Sequence, residues 1–187
     1  MKRLLLTLTL AALLVIGLVG TAFAAGPAAP AVPLVATGTL TQPEADALLR
    51  ALDDEYHAWA VYDQVIKDFG SVNPFVNIKK AEENHIAAVK NLLTAYGVAI
   101  PANPWLGNVP HFDSLAAAYA GAIAAESANV TLYDTLKAST TKADLLRVYN
   151  SLQRASQQQH LPAFQRAAGS TTTTPGTGGF GRGGRSR

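Results

Sequence analysis

From Thr41 to about Ala168, apolar residues recur at alternating spacings of three and four, and the pattern is interrupted three times by Gly, Pro and polar stretches. A period near 3.6 is that of a helix turning one face to a core, so four such stretches predict an all-α fold, an antiparallel four-helix bundle. The punctuation sets the ends. Thr41-x-x-Glu44 is a capping box that opens the first helix, which runs to about Phe69 and stops at Gly70. Asn73 is the expected cap of the second, with Pro74 in its first position, and Gly97 stops it after Tyr96. Ile100 to His111 holds three prolines and reads as a loop. Asp113 is the expected cap of the third helix, which runs to about Ala138. Thr141-x-x-Asp144 is that of the fourth, which ends before Gly169 and is expected to kink at Pro162.

The inward stripes are not wholly apolar. In the first helix Leu48, Leu52, Glu55, Trp59, Tyr62, Ile66 and Phe69 fall in line. In the second the line is Phe75, Ile78, Glu82, His85, Val89, Leu92 and Tyr96. The third reads Leu115, Tyr119, Ala122, Glu126, Asn129, Tyr133 and Leu136. In the fourth, Leu145, Val148 and Leu152 begin a stripe that drifts on to His160 and Phe164, with Gln157 one turn before the histidine. Three carboxylates on converging seams repel one another, and each costs several kcal/mol when buried unpaired. No Lys or Arg falls on these stripes, so a metal cation is the economical counter-charge.

The two halves of the chain also repeat. Glu55 and Glu126 are each followed seven residues later by a tyrosine, Tyr62 and Tyr133, and each half closes on a histidine, His85 and His160. This is the order Glu, Glu-x-x-His, Glu, Glu-x-x-His of carboxylate-bridged di-metal bundles, except that Gln157 stands where the fourth carboxylate belongs. The expected ligands are Glu55, Glu82, His85, Glu126 and His160, with Gln157 a weak sixth through its carbonyl. Such a set holds one divalent ion comfortably and a second more weakly. Glu83, Asp53, Asp54, His57 and His111 fall off the stripes and are expected at the surface, and Tyr62 and Tyr133 are expected to pack in the core, with hydrogen bonding to the carboxylates as the alternative.

Composition narrows the chemistry. There is no cysteine, which excludes disulfides, thiolate zinc sites, iron–sulfur clusters and lipid acylation of a cysteine. Carboxylate and imidazole donors suit iron first, with manganese and zinc also admitted. The formal charge of +2 is carried by the ends: Lys2 and Arg3 lie at the start and Arg182, Arg185 and Arg187 at the finish. What lies between has 10 basic residues against 13 acidic, and nothing in it suggests nucleic acid as a partner.

The first 24 residues read as an export signal. A basic start is followed by the apolar run Leu4 to Gly20 and the small-residue site Ala22-Phe23-Ala24. That site favours cleavage over a retained membrane anchor, so no stable span is expected in the mature protein, which is placed outside the cytoplasm, secreted or in the periplasm or cell envelope. Residues 25–38 form an uncharged Ala/Pro-rich linker, residues 39–169 the bundle, and residues 170–187 a disordered Thr/Gly/Arg tail.

The stretch from Asp54 to Tyr62, the motif Ala81-Glu82-Glu83-Asn84-His85, Glu126, and the run from Gln159 to Phe164 resemble an uncharacterised ferritin-like family, the domain of unknown function 2202. The likeness covers Thr39 to Ala168. The closing histidine motif of that family looks similarly short of a carboxylate. The resemblance implies a ferritin-like bundle able to bind metal, and it names no substrate. Two functions are in keeping with all this. One is a metal-dependent, iron-handling or oxidoreductase bundle whose open coordination positions admit oxygen or peroxide. The other is a non-catalytic exported binding or structural module with a remnant polar core. The expected partners are the metal ion and a second copy of the chain in a homodimer.

Overall fold

The computed structural model describes Ala36 and residues 38–171, all within the compact unit Leu34–Arg187. The expected signal peptide, most of the linker and most of the tail lie outside the described residues. Those described are all-helical, without strands: α1 (Gln42–Phe69), α2 (Phe75–Ala95), α3 (Leu115–Ala138) and α4 (Ala143–Ala155). The last continues through a π-helical turn (Ser156–His160) into α5 (Leu161–Thr171). None of these helices is long and apolar enough to cross a membrane.

The ends of α1 are as the sequence reads. Thr41 accepts from the Glu44 N–H and Glu44 returns a bond to the Thr41 N–H, a capping box of the kind worth ~1 kcal/mol. Gly70 adopts φ 84°, where a side chain would be strained, and its N–H closes on the Ile66 carbonyl. Three expected caps are displaced. α2 begins at Phe75 with no side-chain cap, and Asn73 instead gives its carbonyl to the Tyr119 hydroxyl at 3.1 Å. Ser114, not Asp113, caps α3 by accepting from the Ala117 N–H. α4 has no side-chain cap: Thr140 donates to Glu44 at 2.7 Å, and Asp144 accepts the Tyr96 hydroxyl at 2.6 Å. Near the starts of α2 and α4 the polar groups are matched across the fold and not by a local cap, and leaving such a group buried and unmatched costs more than a cap supplies.

The core has two apolar layers. One gathers Leu48, Leu52, Leu92, Tyr133, Tyr149 and Leu152, and the other Tyr62, Val65, Phe75, Ile78, Tyr119 and Phe164. Each such side chain contributes ~1.5–3 kcal/mol by leaving water. Phe75 lies at the centre of the second layer's rings, stacked on Tyr119, tilted against Phe164 and edge-on to Tyr62. α1 enters the first layer and leaves through the second, α2 and α3 run from the second to the first, and α4–α5 returns from the first to the second. Along every helix a polar stretch lies between the two.

The connection from Tyr96 to Ser114 lies along α1. The Trp105 indole donates to Asp53 at 2.9 Å, the Tyr56 hydroxyl donates to the Pro101 carbonyl at 3.2 Å, and His111 pairs with Asp68 at 2.8 Å. His111 and Glu83 are exposed, as the sequence reads. His57 is not: it is half-buried, its ring edge-on to Trp105 at 4.5 Å.

The fourth seam departs most from expectation. Leu152, Ser156, His160 and Phe164 are spaced by four throughout, which in a regular α-helix rotates each step by about 40° off the seam. The π turn takes up this drift: the Leu161 N–H reaches back to the Ser156 carbonyl, five residues away, and all four side chains are buried. Pro162 follows directly. It has no N–H to give to a carbonyl in this turn, so the expected kink is answered by the wider turn, and the helix then continues past Gly169 to Thr171.

Candidate functional site

The polar stretches meet in one layer. Glu55 from α1, Glu82 and His85 from α2, Glu126 from α3 and His160 from the π turn converge there. The three carboxylates and His160 are each no more than 3% exposed. Two triads share a member. Ligand-capable atoms of Glu55, Glu82 and His85 all lie within 4.8 Å of one another, and so do those of Glu82, Glu126 and His160. Glu82 is common to both. Its Oε2 lies 2.7 Å from His85 Nδ1, and its Oε1 lies 3.2 Å from His160 Nδ1. The two imidazole rings stack with centroids 5.5 Å apart.

The tyrosines cross the bundle. Tyr133 on α3 donates to Glu55 Oε1 on α1 at 2.5 Å, and Tyr62 on α1 donates to Glu126 Oε1 on α3 at 2.6 Å. The sevenfold spacing of glutamate and tyrosine is thus half of a reciprocal pair, in which each hydroxyl orients the carboxylate of the opposite helix. Burial and the adjoining Glu126 and Glu55 carboxylates hold both phenols well above their usual range, so they act as donors.

Gln157 is exposed and takes no part; it is not a ligand candidate. The π turn moves the inward position from three residues before His160 to four, and that position is the buried Ser156. The local signal was the regular spacing by four ahead of Pro162. Asp54 also departs from expectation. It is half-buried, and burial pushes its carboxyl up to about 6.

The layer is electrostatically asymmetric. Burial and the charge of Glu82 push Glu55 up to about 8. Burial also acts on Glu82, but the imidazoles of His160 and His85 facing its two oxygens outweigh it and pull that carboxyl down to about 2. Burial disfavours charge on the imidazoles, yet Glu55 and Glu82 raise His85 to about 10, and Glu126 and Glu82 raise His160 to about 9. The counter-charge demanded by three carboxylates is therefore available as protons on the histidines. Two atoms are left over. Glu126 Oε2 is buried with no hydrogen-bond partner, and His160 Nδ1 sits 3.2 and 3.3 Å from Glu82 and Glu126 oxygens without a bonding geometry to either. The His160 nitrogen, with the Glu82 and Glu126 oxygens beside it, is a donor set that a cation would complete.

Residues 44–173 match a protein-family model, that of the uncharacterized protein domain DUF2202. No functionally curated protein matches the sequence significantly. Among solved structures, the crystal structure of hypothetical protein MJ0754 from Methanococcus jannaschii superposes with a TM-score of 0.67 at 20% identity, over 75% of this chain and 88% of that one. At that identity the likeness speaks for the fold alone.

Proposed function

For a chain that belongs to the uncharacterised DUF2202 family, we propose that the shared-glutamate layer holds one or two transition-metal ions in a ferritin-like, antiparallel four-helix bundle. The observation that carries the metal is Glu82, a single buried carboxylate whose two oxygens serve two triads, each with its own histidine and second carboxylate. The bundle topology is supported by the order in which the helices traverse the two apolar layers. It is supported also by the cross-paired bonds Tyr62–Glu126 and Tyr133–Glu55, which match opposite chain directions in α1 and α3, and by the long connection lying along α1.

The donor set is oxygen and nitrogen, which suits ferrous iron first and manganese or zinc next. Glu55, Glu82 and His85 would hold one ion, and Glu82, Glu126 and His160 the other. Such an ion supplies Lewis acidity and, if iron or manganese, one-electron redox chemistry. The chain's own residues orient the carboxylates through Tyr62 and Tyr133 and keep bulk water out of the layer. Iron handling or oxidant chemistry at an exported protein is the role in view. Metal analysis of the purified protein should return one to two ions per chain, and a value near zero after expression in iron-, manganese- and zinc-replete medium would overturn it.

The second reading, a non-catalytic exported module with a remnant polar core, is favoured by Ser156, which stands where a fourth carboxylate would complete the ligand set. Export is the expectation in both. N-terminal sequencing of exported material should begin near Ala25, and recovery of Met1 would point to a retained leader.

A further inference from the structure

A cleft of ≈ 290 Å³ lies between α1 and α3 beside the end of the long connection. Its sides are small and apolar, formed by Ala58, Val61, Ala122 and Ala125. Phe112 completes the wall against Gly121, where a Cβ would come within 2.8 Å of the ring; the missing side chain is what lets the phenylalanine sit there. Glu126 and Asn129 also line the cleft, 2% and 8% exposed. Glu126 Oε2 and Asn129 Oδ1 are both buried and both without a hydrogen-bond partner.

Two unmatched buried acceptors on residues that line one cleft are costly, and nothing among the described residues supplies their donors. No Lys or Arg is among the described residues lining the cleft, and its acidic members are Asp54 and Glu126, so an anionic head is rejected. The volume is at the small end of ligand pockets. We propose that the cleft binds a small aliphatic molecule whose apolar body lies along the alanines and whose one hydrogen-bond-donating head, a hydroxyl or an amine, is accepted by Glu126 and Asn129. This goes beyond the metal reading: the cleft, its walls and Asn129 are there whether or not the layer holds a cation. The shared Glu126 places the head of the ligand at the edge of that layer.

The test uses the full chain with ¹³C-labelled alanine methyls, both stripped by chelator and loaded with zinc, titrated with 1-butanol, butylamine and butyrate. Saturable shifts at the Ala58, Ala122 and Ala125 methyls are expected with the alcohol or the amine, and whichever binds tighter assigns the head. Ala125 is exposed on α3, so Ala125→Leu should fold normally, fill the cleft and weaken binding by about tenfold or more. Asn129→Ala should erase the advantage over butyrate. Absence of saturation in both forms, equal binding of butyrate, or an Ala125→Leu variant that binds as well as the parent would overturn the proposal. A failed metal site would show separately, as melting that no added ion shifts.

Discussion

Replacing Glu82 by Ala is expected to abolish metal-linked stabilisation. Glu82 is the only residue of the layer that belongs to both triads, and both histidines point Nδ1 at its two oxygens, 2.7 and 3.2 Å away. Without it, each half keeps one carboxylate and one imidazole, too few donors to dehydrate a divalent ion. With metal at about a hundred times its dissociation constant, linkage adds about 2.7 kcal/mol to the parent protein, a rise in Tm on the order of 10 °C for a domain of this size. The measurement is thermal melting of parent and variant, stripped with chelator and then titrated with ferrous, manganous and zinc ions. Only the parent should shift. Glu83→Ala, at the exposed neighbour, should shift as the parent does. The stripped Glu82→Ala protein should itself melt lower than the stripped parent, because the histidines lose the carboxylate they share. A parent that responds to none of the three ions would remove the metal site and leave the remnant-core module standing.

The metal-free protein should be most stable at mildly acidic pH and lose stability steadily as the medium becomes alkaline. The sign follows from which groups hold extra protons when folded. Glu55, raised from 4.5 to about 8, contributes stability that is full below 4.5 and lost as pH climbs to 8. Asp54 acts the same way between 3.8 and about 6. His85 and His160, raised from 6.5 to about 10 and about 9, are stabilising below 6.5 and lose that contribution up to those values. Glu82 runs in the opposite sense: pulled from 4.5 to about 2, it loses its contribution as pH falls through that window. The windows meet near pH 4 to 5, where the stripped protein should melt highest. Bound metal displaces the histidine protons and the Glu55 proton, so the loaded protein should be more stable at pH 7.5 than at pH 5. Melting curves of both forms from pH 4 to 9.5 check this. A stripped protein whose Tm is flat or rising between pH 5 and 9 would show that the layer does not store protons as described.

The sequence by itself determined the helices and which residues they turn inward. Spacings of three and four place Leu48, Leu52, Glu55 and Tyr62 on one face of α1, and Glu82 with His85 on one face of α2. The capping box at Thr41 and the glycines at 70 and 97 mark ends, because φ above zero and an N-terminal oxygen are local demands. Period and caps act within a few residues, so they are written in the chain. The tertiary structure decided what depends on partners far away in sequence. Tyr62 serves Glu126 and Tyr133 serves Glu55, pairings that seven-residue spacing cannot reveal, since each donor's acceptor is on another helix. Asn73, Asp113 and Thr141 look like caps but are not, and Asp54 is drawn into the wall of a cleft by the packing of α1 and α3. The π turn was decided in the same way. Burying Ser156, His160 and Phe164 together against the other helices outweighs the regular α-helical bonds of one turn, and this exchanges Gln157 for Ser156 at the edge of the site.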